Sequence, residues 1–255
     1  MRFSLVTSSL VLLLIAACLW GGYWAWGTLF YISVFAYGVD RLTPFLIENA
    51  PSDAEFPVAT PLSVVLAFAH FGVLGLALVA LVQIEAPLMN KMALFFAVSL
   101  FAGQVGHPNA HELIHHPNRW MRRLGRAVYM SILMGHHASS HPLVHHVHVG
   151  TERDPVSAPK GRGFWRFFGR AWIGSYRAGY AAEAARLKQG RRHPYLGYHL
   201  GAVAVLVAAF ALAGLVGVLI CAAIGLYAQL QIFLSDYVQH YGLRRKILPN
   251  GKPEP

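Results

Sequence analysis

Apolar residues in this chain are gathered into long runs and do not recur at a helical or strand period. Four runs occupy residues 3–20, 23–38, 62–83 and 92–107, and two more occupy residues 195–213 and 217–236. Runs near twenty residues are what a hydrocarbon layer about 30 Å thick requires of a helix rising about 1.5 Å per residue. The pattern predicts an all-α polytopic membrane protein: a six-helix transmembrane bundle forming a single membrane domain over residues 1–255. Arg2 ahead of the first run resembles the start of a signal peptide. No small-residue cleavage site follows, however, and the second run begins almost at once, so both are read as spans joined by a tight Gly21-Gly22 turn.

The intervening segments are polar. Residues 40–60, with prolines and four acidic residues, read as a loop, and the last two spans are joined by a turn near residues 213–217. Residues 117–193 stay mostly polar, and the short apolar stretch 127–133 within them is too brief to cross a bilayer, so it reads as re-entrant or interfacial. The tail 249–255 (PNGKPEP) reads as a loop.

Composition agrees with the membrane class: 56% of residues are hydrophobic and 13% charged. A formal net charge of +10 raises the question of nucleic acid, which the distribution answers. Of 21 Lys and Arg, 14 fall between Arg119 and Arg192 and four more follow His240; with six spans Arg2 and Arg41 share that side, leaving Lys91 alone opposite. Basic residues collect on the cytoplasmic side of membrane proteins. Segments 108–194 and 237–255 are therefore expected to be cytoplasmic, with no nucleic-acid partner. Cys18 and Cys221 lie inside apolar runs and form no metal knuckle.

The cytoplasmic segment holds the candidate chemistry. Ten of the fourteen histidines lie between His107 and Asp154, making this a histidine-rich metal-binding region. His111 and His115, at i and i+4, project from one helix face, as two ligands of one metal should. His141 and His145 repeat that spacing, and His146, about 100° further round, lets the HxxxHH unit serve two ions. His240 follows the last span on the same side. His107 precedes Pro108, which predicts a kink there. His116, His136, His137 and His148 are further candidates as ligands or supporting donors, whereas His193 and His199 read as exposed and His70 as packed within the bundle. An all-imidazole set suits iron, copper or zinc. A competing reading takes His111-Glu112-Leu113-Ile114-His115 as HExxH, the zinc protease motif, with Asp236 as third ligand; it leaves His141, His145, His146 and His240 without a role.

These residues resemble the membrane alkane monooxygenases, within the group of membrane di-iron desaturases and hydroxylases. The likeness runs from about residue 100 to 252: His111–His115 is similar to the HELxH box, the run from His141 through Asp154-Pro155 to the HxxxHH box and the TxxDP segment after it, and Asp236-Tyr-Val-Gln-His240-Tyr-Gly-Leu to NYxEHYGL. Asp236 stands where that pattern has Asn and Gln239 where it has Glu. The resemblance implies two iron ions, dioxygen as co-substrate and no tightly bound organic cofactor. It implies His111, His115, His141, His145, His146 and His240 as metal ligands, with Glu112 and Asp154 orienting imidazoles. It implies terminal hydroxylation of an alkane drawn from membrane lipid, electrons from a rubredoxin-type donor, and a bacterial inner-membrane location. Acyl desaturation or another hydroxylation on the same scaffold is the alternative. A further HSDHH cluster follows the HYG box in that group, so more histidines are expected beyond Pro255.

Overall fold

The computed structural model describes residues 2–38, 41, 59–246, 248 and 254. The loop expected over residues 40–60 and the tail over 249–255 lie almost wholly outside them. The described residues are helical and contain no strand.

The first two runs form a hairpin, α1 (Arg2–Trp20) and α2 (Gly22–Phe30), the latter prolonged by a π turn over Tyr31–Phe35. Gly21 and Gly22 take φ of 59° and 50°, left-handed values open to glycine, and so make the reversal. The arms lie antiparallel: the Thr28 hydroxyl donates to the Leu13 carbonyl (3.1 Å), and Ser9 and Tyr31 share a 2.8 Å hydrogen bond. Trp20, Trp24 and Trp26 are exposed around the turn, as an interfacial aromatic belt requires.

Three helices are long and apolar enough among the described residues to cross a membrane. The first is α3 (Ala59–Gln83). The second runs Leu88–His115 as α4 (Leu88–Phe101), a π turn Ala102–Gly106 and α5 (His107–His115). His107, just ahead of Pro108, keeps helical φ/ψ of −64° and −54°. The π turn just before it is our physical reason: the wider i→i+5 register loosens the helix where the proline ring would crowd the previous turn.

The third is α10 (Pro194–His240), and it is two arms. Ala213 and Gly214 leave helical geometry, Gly214 with φ of 61°. Gly201 lies against the Met130 side chain and Gly225 against the Ile132 backbone, although 24 residues of straight helix span about 36 Å. Only a chain that doubles back between them can bring both to one place.

Two shorter helices complete the fold. α6 (Arg119–Ser131) is strongly amphipathic, capped by the Asn118 side chain accepting from Trp120 N–H (2.8 Å). It folds back on α5 so closely that a Cβ on Gly125 would meet the Ala110 carbonyl at 2.8 Å. α9 (Phe164–Ala185) packs antiparallel along the second arm of α10, with Phe164 on Tyr237, Phe168 on Phe233, and Trp172 donating to Gln229 (2.7 Å). Gln229 also donates to the Ile132 carbonyl (2.8 Å), a buried acceptor at the turn after α6. His70, on α3, is buried and bonded to Ser131 (2.7 Å), as a packed bundle histidine should be.

Candidate metal centre

Between α6 and α9 the chain makes α7 (His137–Ser140), a π turn over His141–His145, and α8 (His146–His148). This π turn decides how the second histidine box is used. In an α-helix His141 and His145 would share a face; with i→i+5 bonding, the His146 N–H goes to the His141 carbonyl and His146 stands over His141 instead. The six predicted ligands therefore sort into two neighbouring groups. His111, His115, His141 and His146 offer ligand atoms within 4.8 Å of one another, and so do His145, His240 and Asp236. The two groups adjoin, since the His141 and His145 rings stack at 5.2 Å.

The first group has the chemistry of a cation site. The His141 Nε2 lies 2.7 Å from both His111 Nε2 and His146 Nε2. An imidazole nitrogen carries either one proton or one lone pair, so a single His141 Nε2 cannot satisfy both neighbours by hydrogen bonding. A metal ion accepting all the lone pairs can. Burial, together with the neighbouring imidazoles, pushes the His141 pKa down to about 2, and burial with His115 and His145 lowers that of His146. Both rings are then neutral near pH 7 and free to coordinate.

The second group is oriented from behind. The His145 Nδ1–H donates to Asp154 (2.9 Å), and His240 Nδ1–H to the Asp236 carbonyl (2.9 Å), so both rings present Nε2. Asp154 is fully buried and also accepts from the Ser157 hydroxyl (2.6 Å) and the Val156 N–H (3.2 Å). Burial alone would depress His145; the hydrogen bond and charge of Asp154, with Asp236, outweigh it and raise its pKa.

Other candidates fall outside the groups. Glu112 is exposed and has no hydrogen bond to an imidazole among the described residues. Gln239 turns away to Ser235 (2.7 Å). His107 bonds Tyr129 (3.0 Å), and His137 stacks on His141 at 5.0 Å. His116 accepts from Asn118 N–H (3.0 Å). His148 is partly buried beside the site. His193 stacks on Tyr180 at 4.1 Å and caps α10, so it is not simply solvated, whereas His199 is exposed and bonds Tyr176. Asp236, noted in the sequence as a departure from Asn and as third ligand of the zinc alternative, lies instead with His145 and His240. Its i, i+4 relation to His240 was the available signal.

Apolar helices long enough to cross a membrane, together with two adjoining groups of His and Asp side chains that could hold metal ions, point to the class of histidine-rich membrane proteins. The chain belongs to the fatty acid desaturase family, whose sequence model matches residues 85–254. Among curated relatives, it is 23% identical over 248 residues to alkane 1-monooxygenase 2 of Alcanivorax borkumensis and 25% identical over 249 residues to alkane 1-monooxygenase 1 of Pseudomonas aeruginosa. Each alignment covers 91% of this chain, and the chain spans 64% of the length of each relative. Alkane 1-monooxygenase 1 of Alcanivorax borkumensis is 29% identical over 175 residues, covering 63% of this chain and 42% of that protein.

Proposed function

We propose that this chain carries the metal-binding core of a membrane monooxygenase that hydroxylates the terminal methyl of an alkane to a primary alcohol, using O2 and electrons from a rubredoxin-type donor. The observation that supports this most is the pair of adjoining nitrogen-rich groups, His111/His115/His141/His146 and His145/Asp236/His240. Two separate groups suit two ions, and iron is among the metals that imidazole and carboxylate donors accept. When bound, two iron ions would supply the activation of O2 and the removal of a methyl hydrogen.

The chain's own residues do the rest. The imidazoles of the first group would hold one ion, and His145, Asp236 and His240 the other. Asp154, rather than exposed Glu112, supplies the supporting carboxylate that fixes the His145 ring. The apolar helices would admit a substrate dissolved in lipid. We read the bundle as six crossings in a bacterial inner membrane, with residues 108–194 and 237–255 cytoplasmic. The basic residues there would steer an acidic electron donor.

The zinc protease reading is disfavoured because Asp236 groups with His145 and His240 and not with His111 and His115. Metal analysis and product analysis test the proposal together. Two irons per chain, and 1-octanol from octane with O2 and reduced rubredoxin, are the expected results. One zinc and no iron would refute it, and an alkene product would move the chain to the desaturase alternative.

A further inference from the structure

A cavity lies beside the metal centre, between α9, the first arm of α10 and the turn that follows α6. Its volume is about 340 Å³, within the range of small-molecule sites, and its walls include Leu133, His136, Trp172, Tyr176, Tyr195 and Ala202. None of the seven grouped metal-site residues lines it. Leu133 takes the left-handed φ of 59°, rare for a branched side chain, and this turn brings His136 to the cavity wall.

His136 is 8% exposed, and its Nε2 has no hydrogen-bond partner. Such an orphan costs stability unless something meets it. The nearby polar groups are already engaged: Tyr176 with His199, Tyr195 with the Tyr176 carbonyl, Tyr198 with Ser139. The exposed Arg177 also lines the wall, so among the described residues His136 Nε2 is the one buried side-chain polar atom of the lining left without a partner. Burial, with the nearby His199, lowers the His136 pKa to about 4, so the ring is neutral. Exposed apolar residues flank the cavity, Trp172 at 42% and Ile173 at 52% on α9 and Val203 at 55% on the first arm of α10, an apolar candidate membrane helix.

We propose that this cavity binds a lipid-dissolved amphiphile with an apolar body and one neutral hydroxyl or carbonyl, which hydrogen-bonds to His136 Nε2. Primary alcohols are one such class, and they are also what the proposed reaction would form. The binding claim stands apart from that reaction, because metal-free protein is enough to test it.

The full chain in detergent is photolabelled with a 1-decanol analogue bearing a diazirine, and the labelled peptides are mapped by mass spectrometry. Label is expected on peptides containing Trp172–Arg177 and Tyr195–Ala202. Unlabelled 1-decanol should compete at about tenfold lower concentration than decane, the difference one hydrogen bond supplies. His136→Leu should bring the two competitors together. If that variant does not fold, Ala202→Phe, which fills the cavity from α10, should abolish label on the same peptides. Equal competition by decane in the unmodified chain overturns the proposal, as does a tenfold preference surviving His136→Leu, label elsewhere, or labelling that persists in Ala202→Phe. Decanoate competing better than 1-decanol would also overturn it, because the site would then select charge.

Discussion

Asp154→Asn isolates the one carboxylate that is wholly buried behind the metal centre. The Asp154 carboxylate accepts three hydrogen bonds, from His145, Ser157 and the Val156 N–H. An amide of the same shape has one oxygen. If that oxygen faces His145 and Ser157, the NH2 faces the Val156 N–H, and that bond is lost at about 1 kcal/mol. The two remaining bonds lose their ionic assistance, about another 1 kcal/mol each, for a total near 3 kcal/mol. Without the anion the His145 ring and tautomer are held less firmly, and affinity at the His145/Asp236/His240 group should fall about 10- to 100-fold. The pH response of the metal-free protein should change as well. The raised pKa of His145 contributes stability that is present below about pH 6.5 and lost as pH rises through the folded value. With Asn, burial dominates and that contribution disappears. Denaturant unfolding at pH 5.5 and 8 and iron titration by equilibrium dialysis read both effects. The reasoning fails if the variant keeps unchanged affinity for both ions and an unchanged pH response.

Gly125→Val should cost about 1–3 kcal/mol and loosen iron binding at His111 and His115, because its Cβ would meet the α5 backbone at Ala110; thermal unfolding with metal analysis checks both. His146→Ala should remove a ligand of the group containing His141, whereas His145→Ala should weaken the other group, so two-ion stoichiometry and spectroscopy of the remaining ion distinguish the π-turn arrangement from an α-helical one. Buried His136, with its pKa lowered to about 4, contributes stability that is full above about pH 6.5 and lost as pH falls toward the folded value. The metal-free protein should therefore be about 2 kcal/mol less stable at pH 5 than at pH 7 from this residue alone, and a difference between pH 5 and pH 7 that is unchanged in His136→Leu contradicts it.

Local pattern was enough for the elements and for the ligand types. Unbroken apolar runs can be stable only as helices in an apolar setting, so the helices at residues 62–83 and 92–107 and the reversal near residue 213 were legible from residue types alone. Five of the six candidate histidines, His111, His115, His141, His145 and His146, stood out by helical spacing within single segments, and His240 by its resemblance to the HYG box. How those histidines are partitioned was not legible. The i, i+4 rule pairs His141 with His145, but the π turn exchanges His145 for His146, and nothing in HPLVHH announces that register. Asp236 and His240 reach His145 from the far end of a doubled-back helix. The cavity at His136 exists only because α9 and α10 converge on the turn after α6. Spacing along a chain fixes which side chains share a face, while a site assembled from several helices depends on packing between segments far apart in sequence, and only the folded chain decides that.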